Sequence, residues 1–155
     1  LIHQPSYNML NRWVEDDGLS NTLDDLGIGS IAFTPLAQGL LTNKYLNGVP
    51  AESRANQDKS LDRQKLTPEL LENLKALNEL ASGRGQTLAQ MALAWVLRGE
   101  RITTALIGAS STKQVVDCAG AVERLDFTES ELSKIDKLSG DIGINLWAKS
   151  SETGS

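Results

Sequence analysis

The chain has 155 residues, of which 40% are hydrophobic and 23% charged, which is the composition of one soluble domain with its own core. Its formal net charge of −5 and its 15 scattered lysines and arginines disfavour a nucleic-acid partner, because phosphate binding needs clustered cations. No apolar run approaches the roughly 20 residues that a bilayer requires, so we expect no membrane partner. The single cysteine, Cys118, cannot form an internal disulfide, which is compatible with a cytoplasmic protein.

The first half of the chain alternates strand-like segments with loops and a helix. Residues 1–3 predict a short strand, and residues 8–26 predict a loop followed by a helix that stops at Gly27. A second strand is predicted at residues 29–33. The polar stretch 46–66 has no clear period, and loops of this length are usually functional lids or disordered.

Capping residues mark the helices of the second half. Thr67, followed by proline, predicts a helix that ends near Gly83. Thr87 and a glutamine three residues later predict the start of the next helix. A third strand is predicted at residues 101–107, since apolar side chains dominate there.

Two more helices and a tail complete the chain. Ser111 and Thr128 have the spacing of capping boxes, and the last helix stops before Gly140. Residues 141–155 form a tail with an apolar insert. The alternation of strands and helices predicts parallel strands with crossover helices, which is an α/β sheet.

A candidate phosphate site lies at residues 108–114, GASSTKQ, where the third strand leads into a helix. Free backbone N–H groups and the positive end of the helix dipole meet there, beside the hydroxyls of Ser110 and Ser111 and the charge of Lys113. An ordinary N-cap, whose serine satisfies the amides of its own helix, produces the same pattern. Neither the Walker nor the Rossmann glycine spacing is present.

A second candidate follows the predicted strand 29–33. Thr34, Gln38, Gly39 and Lys44, joined by Arg54, are suited to line the path of a pyrophosphate. The alternative interpretation is a structured loop with solvated charges.

Polar residues at the first strand give weaker signals. Gln4 stands at the strand end and offers both a donor and an acceptor, as an amide-bearing ligand requires, although a rim glutamine fits equally. His3 is predicted to point the opposite way, toward the helices, and no Gly-x-Ser-x-Gly elbow is present, so we expect no hydrolase triad. One histidine and one distant cysteine lack metal-ligand spacing, so no metal site is expected.

The chain contains three motifs in this order: HQPSYN, then FTPLAQGLLTNKY with a following Ser53-Arg54, then IGASSTKQVVD. Their order and spacing resemble the C-terminal half of the aldo-keto reductases. The likeness is greatest to the bacterial L-glyceraldehyde 3-phosphate reductase branch, which is related to the β-subunits of voltage-gated potassium channels. The resemblance implies the C-terminal part of a (β/α)8 TIM barrel, about its last three strands, incomplete as given. It also implies NADP(H) bound across the carboxyl ends of the strands.

The resemblance implies a role for each matching residue. Gln4 would hold the nicotinamide carboxamide and Phe33 would stack on its ring. The pyrophosphate would be bordered by Thr34, Pro35, Leu36, Gln38 and Gly39, with charge from Lys44 and Arg54, and the adenosine 2′-phosphate would be held by Gly108, Ser110 and Gln114. Asp117 and Cys118 stand where the family usually has Glu and Asn against adenine, and both depart from that pattern. Trp147 in the tail would form part of the substrate wall.

The implied activity is NADPH-dependent reduction of small aldehydes, such as L-glyceraldehyde 3-phosphate or a methylglyoxal-like compound, by hydride transfer. The family's catalytic Tyr, Lys, Asp and His lie on earlier strands, so none is expected after Leu1, and the chain alone is expected to be inactive. Residues 1–155 would be a single partial domain, with a long loop at 46–66 and a pocket-lining tail at 141–155. A homo-oligomer is expected for the full-length protein. The alternatives are a nucleotide-sensing regulatory subunit and an inert truncated reductase.

Overall fold

The computed structural model describes residues 1–16, 18–46, 66–99 and 101–140. Short 3-10 helices occur at Ala37–Gly39, Asn43–Tyr45 and Gly120–Glu123. The regular elements, in chain order, are β1 (Ile2–His3), α1 (Trp13–Asp16), α2 (Leu19–Asp25), β2 (Gly29–Phe33), α3 (Pro68–Gly83), α4 (Leu88–Leu97), β3 (Thr104–Leu106), α5 (Thr112–Ala119) and α6 (Glu129–Leu138). Of the helices just named, none is long and apolar enough to cross a membrane.

The helix starts agree with the capping residues. The side chains of Thr67, Thr87, Ser111 and Thr128 each accept a hydrogen bond from the backbone N–H three residues later. Thr87 and Thr128 form complete capping boxes, in which the side chain at N3 accepts from the cap's own N–H. These local bonds satisfy donors that would otherwise be left without a partner at the helix start.

Two segments differ from the sequence prediction. Residues 8–26 contain α1 as well as α2, because Gly18 adopts a left-handed conformation, with φ of 76°, directly before α2. The third strand is shorter than the predicted 101–107, since its ladder with β2 runs from Thr104 to Leu106.

The three described strands form a parallel sheet in the order β1-β2-β3. Ile2 pairs with Gly29 in one ladder, and Phe33 pairs with Leu106 in the other. The pairing of β1 with β2 extends beyond the strands, since Phe33 N donates to Pro5 O at 2.9 Å. All three carboxyl ends therefore lie at one edge of the sheet.

Helices cover one face of this sheet, and side chains on the other face are exposed. Ala32 on β2 belongs to a buried cluster that includes Leu77 and Trp95, so the helices cover this face. On the other face, Ile2 is 64% exposed and Leu106 is 54% exposed. Parallel sheets are usually covered on both faces. The described residues therefore supply one of the two layers that such a sheet needs.

His3 lies on the helix-covered face, since it pairs with the buried Ser30. Its Nε2 is buried without a hydrogen-bond partner among the described residues. Ser30 likewise has a buried hydroxyl without a partner in that part of the chain. Neither side chain lies at the carboxyl edge of the sheet.

Candidate functional site

The predicted site residues lie on three segments that leave the same edge of the sheet. Gln4 follows β1 within the stretch whose pairing with β2 continues to Ser6, Thr34 follows β2, and Gly108 follows β3 after one further residue. Because the strands are parallel, these segments are neighbours in space although they are far apart in the chain. In α/β proteins this edge is where ligands usually bind.

The segment after β2, residues 34–41, is named the β2 loop. Its backbone has positive φ at Thr34 (54°), Ala37 (47°) and Gln38 (59°), besides Gly39 (97°). Left-handed backbone costs an ordinary L-residue roughly 1–2 kcal/mol. Such conformations persist only where surrounding contacts enforce them, and they cluster at ligand-binding sites.

Hydrogen bonds close the β2 loop into a compact turn. Ala37 N donates to Thr34 O at 2.9 Å, and Leu41 N donates to Leu36 O at 3.2 Å. Leu40 and Leu41 are fully buried, so they anchor the end of the loop in the core. Gln38 has a buried Oε1 without a hydrogen-bond partner among the described residues. A buried amide oxygen of this kind is suited to accept a donor from a ligand.

Lys44 follows the β2 loop in a short 3-10 helix. Its ammonium is exposed and lies 5.7 Å from the centroid of the Tyr45 ring, and Thr42 Oγ1 accepts from its backbone N–H. The cation therefore stands close to the loop in the chain and is accessible to solvent. Arg54 and Trp147, the two other residues predicted for this ligand, lie outside the described residues.

The segment after β3 is the start of α5. Ser111 caps the helix, while Ser110 donates from both its backbone N (2.8 Å) and its hydroxyl (3.1 Å) to Gln114 Oε1. Gly108, Ser110 and Gln114 are all exposed, as is Lys113. The donors predicted for a phosphate are thus brought together at a helix N-terminus, with the Gln114 side chain accepting both Ser110 donors.

Asp117 and Cys118 lie further along α5. Both carboxylate oxygens of Asp117 are 3.3 Å from Thr87 Oγ1, and its backbone O accepts from Gln90 Nε2 at 3.0 Å. Asp117 therefore joins α5 to the start of α4. Cys118 is partly buried, and burial together with the nearby Asp117 charge raises the pKa of its thiol. This thiol stays protonated at neutral pH.

A polar network beneath the β2 loop was missed by the sequence analysis. Ser6 Oγ is 2.8 Å from Thr34 Oγ1, Asn8 Nδ2 donates to Thr34 O at 2.9 Å, and Asn11 Nδ2 donates to Ser6 Oγ at 3.1 Å. Asn8 and Asn11 are 1% and 0% exposed. The signal in the sequence was two asparagines within one apolar segment, because buried amides are retained only where they are hydrogen-bonded.

Tyr7 anchors the same segment on the helix side. Its hydroxyl donates to Glu15 Oε1 and accepts from Arg98 Nη1 at 3.0 Å, while Arg98 Nη2 pairs with Glu15 at 2.8 Å. Burial raises the pKa of Tyr7 and exceeds the opposing effect of the Arg98 charge. The segment that carries Gln4, Ser6 and Asn8 is therefore fixed to the helix layer.

A groove in the helix layer lies away from the predicted site. A groove of about 530 Å³ between α3 and α6 is lined by residues such as Leu80 and Lys134, and by none of the predicted cofactor residues. The described residues contain no group of three or more His, Cys, Asp or Glu that could hold a metal ion. The predicted site residues that the structure describes lie outside this groove, on the segment after β1, on the β2 loop and along α5 and the segment before it.

Comparison with known proteins identifies the sequence pattern. Residues 1–140 match the profile of the Aldo/keto reductase family. The chain is 51% identical over 156 aligned residues to an L-glyceraldehyde 3-phosphate reductase of Escherichia coli (strain K12), covering 98% of the chain and 45% of that relative. The chain therefore spans about half the length of this curated relative.

Two eukaryotic proteins are more distant relatives. A putative voltage-gated potassium channel subunit beta of Schizosaccharomyces pombe is 36% identical, with 87% of the chain and 41% of that protein covered. A probable voltage-gated potassium channel subunit beta of Oryza sativa subsp. japonica is 30% identical, with 89% and 42% covered. In each case the similarity extends over most of the chain and under half of the relative.

Proposed function

Because the chain belongs to the aldo/keto reductase family, we propose that it is the cofactor-binding part of an oxidoreductase that reduces small aldehydes with NADPH. The parallel strands β1 to β3 would be consecutive strands of a (β/α)8 barrel. The open sheet face, with Ile2 and Leu106 exposed, supports this proposal, since the interior of such a barrel is packed with side chains from all its strands.

The observation that carries the proposal is the convergence of three segments at one sheet edge. Gln4, the β2 loop and the start of α5 offer an amide, a compact turn and a helix N-terminus. A dinucleotide has a carboxamide, a pyrophosphate and, in NADPH, a further phosphate. The chemical groups along this edge thus match those of the cofactor in kind.

The residues present fit the proposed cofactor. Gln4 is exposed, and the unpartnered Gln38 Oε1 gives the β2 loop an acceptor suited to a hydroxyl of the cofactor, since the pyrophosphate itself offers no donor. We propose that Phe33 stacks on the nicotinamide, and that Ser110 and Gln114 bind the 2′-phosphate. The other proposed contacts are Thr34, Pro35, Leu36, Gly39, Lys44 and Gly108, together with Arg54 outside the described residues.

Asp117 and Cys118 match this chemistry least well. Asp117 already contacts Thr87, and a protonated thiol is a weaker hydrogen-bonding group than an amide. We propose that both border the adenine and contribute little to its affinity. Trp147, in the proposed tail 141–155, would contact the substrate.

When bound, NADPH supplies the hydride. This chain's own residues bind and orient the cofactor, and the β2 loop holds its shape through internal hydrogen bonds. Catalysis also requires a proton donor for the carbonyl oxygen, and we propose that residues outside this sequence supply it.

The substrate proposal follows from the relatives. The bacterial relative with 51% identity is named for L-glyceraldehyde 3-phosphate, so we propose that compound or another small aldehyde as the substrate. The relatives named as channel subunits have 36% and 30% identity. The higher identity favours a reductase over a regulatory subunit.

The purified 155-residue chain is expected to show no NADPH-dependent aldehyde reduction, because it lacks the proposed proton donor. The measurement is NADPH oxidation with methylglyoxal as the substrate, using protein freed of host reductases. A mock preparation from the same host is the control. Turnover above that control would contradict the division of roles proposed here.

In the whole protein, the substitution Ser110→Asp is expected to weaken NADPH binding by roughly 30-fold, since it replaces a donor to the 2′-phosphate with a like charge. Binding of NADH, which lacks that phosphate, is expected to change much less. Affinities are measured by fluorescence titration with both cofactors. Ser133→Asp, which makes the same charge change at an exposed position of α6, is the matched control. An equal loss for both cofactors would place the 2′-phosphate elsewhere.

A further inference from the structure

We propose that Asn8 is a positioning residue for the cofactor site, because it holds Thr34 in the left-handed conformation from which the β2 loop begins. The inference rests on the proposed function for its link to NADPH. Its structural part, the enforcement of the loop by Asn8, stands on the hydrogen bonds and backbone angles alone.

Asn8 is held in place by its own neighbours in the chain, in addition to its contact with the β2 loop. Its Oδ1 accepts from Leu10 N at 2.9 Å, and its backbone N and O each bond to Asn11 at 3.1 Å. The side chain is 1% exposed. With the oxygen committed to Leu10, the amide nitrogen is directed to Thr34 O, where it donates at 2.9 Å. The amide therefore has a single orientation in which both of its ends are used.

Thr34 is the residue that most needs such a contact. A β-branched residue at φ of 54° is a genuine conformational outlier, because its Cβ substituents crowd the backbone. Its carbonyl oxygen accepts both from Asn8 Nδ2 and from Ala37 N. These two bonds fix the direction of the peptide after Thr34, and hence the turn that contains Ala37 and Gln38.

The neighbouring contacts show that the segment after β1 acts as the support. Ser6 Oγ meets Thr34 Oγ1 at 2.8 Å, and Trp13 Nε1 donates to Ser6 O at 2.9 Å. Residues 5–8 therefore hold Thr34 through its side chain and through its main chain. Asn8 supplies the main-chain contact, which the bond between the Ser6 and Thr34 hydroxyls does not replace.

Asn8→Ala is expected to weaken NADPH binding by about 10-fold, the value of one buried hydrogen bond. Asn8→Asp keeps an acceptor for Leu10 N and removes the donor to Thr34 O, so a similar loss is expected. Affinity is measured by fluorescence titration of the whole protein. A large loss with Asn8→Ala and none with Asn8→Asp would assign the effect to the Leu10 turn and overturn the proposal.

Ser139→Ala is the control for a merely structural role. Ser139 is 1% exposed, donates to Ile135 O and accepts from Arg12, and neither of these partners belongs to the β2 loop. We expect it to lower the melting temperature and to leave the NADPH affinity of the folded protein unchanged. If it weakens NADPH binding as much as Asn8→Ala does, the effect is general destabilisation.

The decisive measurement is a double-mutant cycle with Thr34→Gly. Glycine adopts φ of 54° without steric cost, so the loop no longer depends on Asn8 for that angle. Asn8→Ala, which costs about 10-fold in the parent, is expected to cost about 3-fold or less in the Thr34→Gly background. Equal costs in the two backgrounds would show that Asn8 does not act through Thr34.

Hydrogen exchange of the cofactor-free protein separates this inference from the proposed function. Asn8→Ala is expected to accelerate exchange at the amides of Ala37, Gly39 and Leu41, which close the loop. Ser139→Ala is expected to leave those amides unchanged relative to the rest of the chain. If the parent protein does not bind NADPH but this acceleration occurs, the proposed function fails and the role of Asn8 stands. Unchanged exchange at these amides would overturn the role itself.

Discussion

Replacing Glu131 with alanine is expected to lower the free energy of unfolding by about 3–5 kcal/mol, because it leaves a buried cation without its counterion. Arg84 Nη1 lies 2.8 Å from Glu131 Oε2, and only 1% of the Arg84 side chain is exposed. Glu131 also accepts from Thr128 N at 2.7 Å, so the capping box of α6 is lost as well. The measurement is urea denaturation monitored by far-ultraviolet circular dichroism.

The Arg84 site explains the size of this effect. Its guanidinium also donates to Asp126 O at 2.8 Å and to Gln86 Oε1 at 2.9 Å, and it lies 3.8 Å from the centroid of the Phe127 ring. The arginine cannot leave this position for solvent without breaking these contacts. Its charge therefore stays buried when the carboxylate is removed.

Glu72→Ala is the matched control for Glu131→Ala. Glu72 pairs with Lys75 at 2.8 Å, the same distance, but their side chains are 72% and 48% exposed. Removing this surface pair is expected to cost only a few tenths of a kcal/mol. Similar losses for the two variants would contradict the importance assigned to burial.

The pH dependence of stability provides a second measurement of the same ion pair. Burial raises the pKa of Glu131, but hydrogen bonds from Thr128 and the contact with Arg84 outweigh it, and the net pKa lies below the ordinary value of 4.5. A lowered folded-state pKa gives stability that is present above the ordinary value and is lost as the pH falls through the folded-state value. The stability difference between the parent and Glu131→Gln is therefore expected to shrink as the pH is lowered from about 7 to about 3. A difference independent of pH would contradict an ionised Glu131.

Local signals in the sequence account for much of the fold. Thr67, Thr87, Ser111 and Thr128 predicted the starts of four helices because a cap is a contact within a few residues of the chain. The bounds of β2 also agree with prediction, since a short apolar run between turn residues specifies a buried strand.

Features that depend on distant contacts could not be read in this way. The sequence signal for left-handed backbone is glycine, whereas Thr34, Ala37 and Gln38 adopt it here through contacts that include a side chain 26 residues earlier, Asn8. The length of β3 was missed because it is set by pairing with β2, more than 70 residues away in the chain. Residue propensities predict the conformation that a segment prefers locally, and tertiary contacts can override that preference.

In the candidate site, too, some features follow from the sequence and others depend on tertiary contacts. The grouping of Gln4, the β2 loop and the start of α5 follows from parallel strands alone, and the sheet has that topology. The contact between Asp117 and Thr87 does not follow from either local sequence, since it depends on how α5 packs against α4. The individual ligand contacts assigned to these residues remain predictions.

Trp95→Ala is expected to lower the free energy of unfolding by about 3–5 kcal/mol, as large core truncations do. Trp95 is fully buried in α4, where the Tyr7 ring lies 5.4 Å from it, centroid to centroid, and Arg98 lies 3.6 Å from its ring centroid. Removing the ring leaves a cavity and also withdraws the surface on which Arg98 is held against Tyr7 and Glu15.

Trp95→Phe distinguishes the aromatic face from the indole. The indole Nε1 is buried without a hydrogen-bond partner among the described residues, so phenylalanine removes an unsatisfied donor while it keeps a ring for Arg98 and Tyr7. The lost contact area and the removed donor oppose each other, and we expect a loss of about 1 kcal/mol or less. Urea denaturation of the two variants, monitored by circular dichroism, is the measurement. Equal losses of unfolding free energy for alanine and phenylalanine would show that the indole nitrogen has a partner outside the described residues. That bond, more than the aromatic face, would then fix Tyr7 and the segment leading to Asn8.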